Sequence, residues 1–327
     1  MKSLQHVNVY TVEEAVNTLR EFQGEAMVIA GGTDITGVLK DKLLPDYPKA
    51  LVNIKTIPAL SYIKEESSGI KIGSLATLSE LSKSPLLQGQ YKVLAKAACN
   101  VATPQIRNMG TIGGNLGQDT RCWYYRYPHS LGGRIMCLRK GNGPCLAVAG
   151  DNRYHSVFGG QGCFASCPSD TAVALLALNA EVKVTGKWGT RTIPVQEFFH
   201  PRGNSLKKVE LIQEIQMPYL AEKTRGCFLK YTLRKPVDFA IVSVAVLVAM
   251  EEGVCSEARI VLGAVAPGPL RAKKAEDFLK GKLIDATVLE EAGHLAVSGA
   301  KPLSMNSYKV EIARTLVVRA LTDCAFD

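Results

Sequence analysis

Met27-Val-Ile-Ala-Gly-Gly-Thr-Asp-Ile35 sets a short apolar run against a glycine pair, and Met109-Gly-Thr-Ile-Gly-Gly-Asn-Leu116 repeats the arrangement. A glycine pair after a strand lets consecutive amides turn inward with no Cβ in the way, which forms a concave nest able to hold a phosphate oxygen. Thr33 and Asn115 add polar side chains at the two rims. Each pair alone also reads as a plain tight turn, because neither completes a G-x-G-x-x-G fingerprint or a Walker loop. Two nests suit a pyrophosphate better than one.

Working outward, the opening hundred residues alternate short apolar runs with capped helical segments, the pattern of an α+β or α/β domain. Thr11-Val-Glu-Glu14 and Thr77-Leu-Ser-Glu80 read as capping boxes, each setting a hydroxyl and a carboxylate on orphan amides. Residues 26–30, 50–54 and 70–73 read as strands, and 86–100 as a helix. From Gly226 the run to Met250 is β-branched and alternates weakly, and 254–266 reads as another strand. Helical stretches follow at 272–279, 286–297 and 310–321, so the C-terminal part reads as a separate α+β domain.

Between the second glycine pair and Asp170 lie five of the nine cysteines: Cys122, Cys137, Cys145, Cys163 and Cys167. Thiolates are the ligands that soft iron wants, and four at the spacing C-x14-C-x7-C-x17-C can close around one iron-sulfur cube. A disulfide framework is the poorer reading, since nine cysteines in 327 residues is roughly 3%, against about 8–10% in disulfide scaffolds. Structural zinc remains open, although only Cys163-x3-Cys167 resembles a zinc knuckle. Scattered buried thiols also remain open.

Bulk properties set the outer bounds. The net charge of +9 comes from Lys and Arg spread along the chain, with no run of five or more like charges and no nucleic-acid-reading motif. A nucleic-acid partner is therefore not expected. The N-terminal MKSLQHVNVYTVEEA lacks the apolar core of a secretory signal, and the longest apolar run, 239–250, is too short to span a bilayer. The expected location is cytoplasmic, or periplasmic only by co-export with a partner.

Six stretches in fixed order carry a family resemblance: VIAGGTDI (28–35), ATPQIRNMGTIGGNL (102–116), CPSDTAVALLALNAEV (167–182), LIQEIQMPY (211–219), FLKYTLRKPVDFAIVSVAV (228–246) and VLGAVAPGPLRAKKAEDFLKG (261–281). Together they resemble the flavin-binding medium subunits of the molybdenum hydroxylases, the xanthine dehydrogenase family. The cysteine insert resembles the extra [4Fe-4S] loop of 4-hydroxybenzoyl-CoA reductase and periplasmic aldehyde oxidoreductase. The resemblance implies an α+β fold: a two-part FAD-binding domain of the vanillyl-alcohol-oxidase/PCMH type over 1–218, with an iron-sulfur insert at 119–168. A C-terminal domain over 223–327, with a three-stranded sheet and a helical bundle, completes it.

The resemblance also implies the site. FAD contacts fall on Val28, Ile29, Ala30, Gly31, Gly32, Thr33, Asp34 and Ile35, and on Thr111, Ile112, Gly113, Gly114 and Asn115. Val101, Asp170, Ile212 and Lys230 complete the set, with Lys230 beside the flavin's pyrimidine carbonyl, where an ammonium would stabilise the anionic reduced state. Without the resemblance, Lys230 reads as a surface lysine on a strand edge. Cys122, Cys137, Cys145 and Cys163 are the implied [4Fe-4S] ligands, Cys167 the spare, and Trp123, Tyr124, Tyr125 and Tyr127 the aromatic shield. The implied role is electron transfer, with no catalytic residue of its own. Implied partners are a large molybdopterin subunit, a small subunit with two [2Fe-2S] clusters and an external carrier such as ferredoxin, with a dimer of heterotrimers possible. The complex would act on an aryl-CoA, an aldehyde or an N-heterocycle. The rival readings are a zinc-stabilised binding module without redox function and a standalone flavin oxidase.

Overall fold

A computed structural model describes residues 2–133, 135–235 and 237–326, so Arg134 of the insert, Pro236 of the fifth motif and both chain ends lie outside it. Ala50–Asn53 is the middle of a three-stranded parallel sheet, flanked by Gln5–Asn8 and Ala26–Ile29. All four of its residues are buried, which is why it reads as a continuous run and not an alternating one. Its one polar side chain, Asn53, is satisfied by donating Nδ2 to Asn8 Oδ1 at 2.8 Å. Strand Ala26–Ile29 feeds directly into Gly31-Gly32, so the first glycine pair stands at the carboxyl end of a parallel strand, where crevices of α/β sheets open.

A five-stranded antiparallel sheet follows, in the order Ile63–Glu66, Gly69–Gly73, Glu210–Pro218, Glu181–Gly186, Gly189–Pro194. Helix Asp170–Ala177 is buried at all eight positions, as its sequence DTAVALLA, with no polar stripe, requires. It lies in a core shared by this sheet and the C-terminal one. The C-terminal sheet has the three long antiparallel strands expected, Thr224–Tyr231, Val242–Glu251 and Val254–Gly263, and adds a two-residue edge at Leu270–Arg271. Its middle strand is buried on both faces. Val242, Val244, Val246 and Val248 enter the core formed with the helices Ala286–Val297 and Tyr308–Phe326, while Ala245 and Leu247 enter the core of the five-stranded sheet. Period-two geometry thus divides one strand between two cores, and this explains the weak alternation of its sequence.

Local expectations differ from the structure in two places. Thr77 forms the complete capping box, but at Thr11 the Glu14 carboxylate reaches past the cap and accepts from Tyr10 N at 2.6 Å. The helix read over 86–100 is two, Pro85–Gln88 and Lys92–Cys99, separated at Gly89.

Across its described residues the insert has only two single-turn 3-10 segments, His129–Leu131 and Leu138–Lys140, so side chains must hold it. Its far end is held from the C-terminal domain. Lys309, fully buried, donates Nζ to the carbonyls of Ala264 at 2.6 Å, His155 at 3.0 Å and Tyr154 at 3.5 Å. Asn306 Nδ2 donates to the carbonyls of His155 and Ser156, and Met305 N donates to the buried Asn152 Oδ1. An ammonium with three carbonyl acceptors is a geometric match for its three protons.

Lys309→Met removes those donors, and we expect it to cost at least about 2 kcal/mol in urea unfolding, because buried carbonyls are left unpaired. The loss has a pH signature. Burial draws Lys309 down to about 7, whereas an unfolded lysine holds its proton to about pH 10.4. Between these values the unfolded chain binds the extra proton, so this group's contribution makes stability rise with pH from 7 to 10. The Met variant should lack that rise. Parallel stability-pH curves for the two proteins would contradict this assignment.

Candidate functional site

Both glycine pairs face one cavity of about 870 Å³, a size suited to a cofactor. The two pairs do different work there. The amides of Gly31, Gly32, Thr33 and Asp34 donate to no acceptor among the described residues, and these four residues line the cavity just ahead of helix Ile35–Lys40. Gly32 has φ +73°, in the left-handed region, which turns the amides to one side. A Cβ on Gly31 would lie 1.9 Å from the Met109 carbonyl oxygen, so this loop and the second glycine segment touch backbone to backbone.

The second pair is no amide nest, which corrects the reading of Gly113-Gly114. Gly113 N donates to Ser74 O at 3.0 Å, Gly114 N to Thr111 Oγ1 at 3.1 Å, and Asn115 N to Thr111 O at 2.8 Å. These residues open helix Ile112–Gly117, capped by Thr111; the Gly114 and Asn115 amides close its cap and first turn, while that of Gly113 is taken by Ser74. Glycine is needed at 113 because a Cβ there would come within 2.8 Å of Ser74 Cβ. The pair forms part of the cavity wall beside the nest.

Of the other expected contacts, Val28, Ala30, Ile35, Thr111 and Ile212 line the cavity. Ile29, Ile112 and Asn115 stand behind it. Asn115 Oδ1 accepts from Ser169 and Thr171 hydroxyls, each at 2.6 Å, and so pins the wall helix to the start of Asp170–Ala177. Val101, Asp170 and Lys230 are not among the lining residues, and two of them meet each other instead. Lys230 Nζ lies 2.7 Å from Asp170 Oδ2 with both side chains buried, and also donates to Asn100 O at 2.8 Å. Burial pushes the Asp170 carboxyl up against the pull of that ammonium. The reading of Lys230 as a strand-edge surface residue is corrected by the same pair.

A further part of the lining, which no local pattern announces, comes from the insert: Asp119, Tyr125 and Arg139 all line the cavity. Asp34, last of the nest residues, accepts at Oδ2 from Asp119 N at 2.8 Å and pairs at Oδ1 with Arg121 and Arg126, each at 2.7 Å. Asp119 in turn takes Arg139 through Nε at 3.0 Å and Nη2 at 2.7 Å, and the Tyr125 hydroxyl donates to its other oxygen. Burial opposes ionisation of Asp119, yet Arg139 and Tyr125 bring its carboxyl below its ordinary value. Arg202, Lys207 and Lys208 add positive charge to the cavity lining. The adjacent Lys207-Lys208 was the one sequence cue to them.

The four thiols chosen from spacing share a neighbourhood. Burial raises Cys122 to about 11 and also raises Cys163, and both are raised further by the charges of Cys137 and Cys145. Cys167, pushed by burial to about 12, is perturbed instead by Asp170 and Arg139. Among the described residues, however, no three His, Cys, Asp or Glu side chains are gathered closely enough to hold a metal ion. The nearest side-chain partner of Cys122 is one the sequence did not single out: His155 Nε2, 3.2 Å from Sγ. Trp123 and Tyr124 pack around that imidazole at 5.8 and 5.9 Å between ring centres, whereas Tyr125 lines the cavity.

Comparison with known proteins identifies the family. The family profile described as "FAD binding domain in molybdopterin dehydrogenase" matches residues 2–220, and that of the "CO dehydrogenase flavoprotein C-terminal domain" matches 228–324. The chain is 28% identical to the 6-hydroxypseudooxynicotine dehydrogenase complex subunit alpha of Paenarthrobacter nicotinovorans, over 98% of this chain and 93% of the relative. It is also 28% identical to the aldehyde oxidoreductase FAD-binding subunit PaoB of Escherichia coli, over 99% and 98%. A carbon monoxide dehydrogenase structure from Hydrogenophaga pseudoflava superposes with TM-score 0.79 at 27% identity, covering 99% of this chain and 98% of that one.

Two glycine substitutions separate the nest from general glycine effects. Gly31→Ala drives a methyl into the Met109 carbonyl and should leave the purified chain without flavin absorbance. Gly37→Ala, in a helix and with open space around it, should keep its flavin and gain up to about 1 kcal/mol of stability. Equal flavin content in the two variants would contradict the placement of the nest.

Proposed function

We propose, from the premise that this chain belongs to the family carrying the FAD-binding domain of molybdopterin dehydrogenases, that it is the electron-transfer flavoprotein subunit of a molybdenum hydroxylase-type complex. One observation carries the reading: four consecutive residues with acceptor-free amides line a cofactor-sized cavity that the second glycine segment also lines. Those amides suit the pyrophosphate of FAD, with the dipole of the following helix turn adding to their pull. The apolar side chains of Val28, Ala30 and Ile212 would keep water from the rest of the cofactor. Bound FAD would supply the conversion between one- and two-electron transfer. Asp170 and Lys230 act from behind the cavity, as a buried pair that fixes the start of the helix behind the wall.

The same reading divides the chain into a flavin domain over 1–218, an insert over 119–168 and a C-terminal domain over 223–327. It assigns Cys122, Cys137, Cys145 and Cys163 to a [4Fe-4S] cluster of the kind the insert resembles. This is supported by the softness of the donors and by the charge effects of Cys137 and Cys145 on both Cys122 and Cys163, which Cys167 does not share. The thiols would have to close inward around the cube, since metal and ligand order form together. A large molybdopterin subunit would hold the substrate, an aryl-CoA, aldehyde or N-heterocycle. A small [2Fe-2S] subunit would pass electrons to this flavin, and the cluster would extend the path to a ferredoxin-like carrier.

Anaerobically purified protein should show flavin bands over a broad iron-sulfur shoulder, with about four irons per chain. Cys163→Ser should lose the shoulder and keep the flavin, while Cys167→Ser should keep both. Zinc in place of iron would overturn the cluster assignment, and colourless protein that does not take up FAD would overturn the flavoprotein reading.

A further inference from the structure

The insert does more than present thiols. Its Asp119, Tyr125 and Arg139 form a wall of the same cavity that the Gly31–Asp34 amides face. The wall is fastened to the nest through one residue, Asp34, whose backbone belongs to the nest and whose carboxylate takes Asp119 N, Arg121 and Arg126. Arg126 also donates to the Asp119 carbonyl at 3.1 Å, and Arg121 to the same carbonyl at 2.7 Å. Among the described residues of this cluster, Arg121 and Arg126 share the Asp34 carboxylate, while Arg139 is paired with Asp119. Arg139 is the guanidinium among them that lines the cavity. It is also the one whose charge acts on Cys163 and Cys167. The described residues of the insert have no sheet or long helix to hold them in place, so contacts such as this cluster and the Lys309 end help to order the loop.

We propose that Arg139 is a cofactor-positioning residue supplied by the insert, binding the anionic part of the flavin cofactor, so that FAD binding and ordering of the cysteine loop reinforce each other. The proposal rests on the flavoprotein reading above and adds to it a reciprocal coupling. A ligand that binds better to the ordered loop must order the loop by the same factor. An anion in the cavity attracts Arg139, Arg139 holds Asp119, and Asp119 is bonded through its backbone to the nest. The loop that carries the thiols then becomes part of the flavin site, and filling the cavity should restrict access to those thiols.

The test uses the full chain stripped of flavin and metal under reducing, anaerobic conditions, with iodoacetamide as the thiol probe and mass spectrometry to resolve each cysteine. In the wild type, saturating FAD should slow alkylation of Cys122 and Cys145, both partly exposed, by about tenfold, the scale of one charge-assisted contact. Cys99, exposed and outside the insert, serves as the control and should not change. Arg139→Gln should bind FAD about tenfold more weakly and, even when saturated, give little protection, whereas Arg139→Lys should recover part of both. Unchanged alkylation rates on FAD binding to the wild type would overturn the coupling and leave the flavoprotein reading standing. So would wild-type affinity and protection in Arg139→Gln. A wild-type chain that binds no FAD would overturn both.

Discussion

The carboxylate of Asp34 is the constraint on which the site depends. It sits at the end of a strand-to-helix turn whose amides are left without acceptors, and it accepts one backbone amide and two guanidiniums from a loop far along the chain. A partly buried carboxylate with that many charge-assisted donors is fixed in orientation. The turn that carries it is then fixed as well. The nest stays open because Asp34 spends its side chain on the insert while leaving the nest amides free.

Around that contact the structure is a set of parts joined at few, well-satisfied polar points. The parallel sheet sets the nest, the antiparallel sheet and the Thr111-capped helix set the wall beside it, and the insert adds a further part of the lining. The insert has no core of its own. It is held at one end by the Asp34 and Asp119 carboxylates and at the other by Lys309 and Asn306, so two bodies of the protein grip the loop that bears the thiols. Buried charges of this kind are stable only when each is paired and hydrogen-bonded, and here each carboxylate has two or more donors. Electron transfer between a flavin and a cluster needs a fixed separation, and a loop clamped at both ends would supply it.

Much of this was legible in the residues. The strands at 26–29, 50–53 and 69–73 and the C-terminal helices follow the apolar runs closely, because burial on one or both faces writes a period into the sequence. Gly31-Gly32 was readable as a nest because only glycine permits the close backbone approach and the left-handed turn found there. Gly113-Gly114 looked the same in sequence and is different in space. Thr111, three residues ahead of Gly114, is a helix cap that takes up the amide, and a cap and a nest share the same local letters. The Asp170–Lys230 pair and the Asp34–Arg121–Arg126 cluster were not legible, since they join residues from 60 to 92 positions apart. Nothing in a local pattern states which distant charge a buried carboxylate will capture. For the cysteines, Cys137 and Cys145 lie near enough to act electrostatically on Cys122 and Cys163, while no three candidate ligands converge among the described residues.

The central claim is that one cavity, bounded by the nest, the glycine wall and the insert, receives the flavin. Hydrogen exchange of the flavin-free chain, measured by mass spectrometry with and without saturating FAD, tests it most directly, because free amides in a nest should exchange fast until a phosphate engages them. If the flavin fills this cavity, FAD slows exchange together in peptides covering 28–35, 111–117 and 119–139, with the C-terminal strands unaffected. Slowing confined to other segments, with 28–35 exchanging at the same rate in both states, would contradict it.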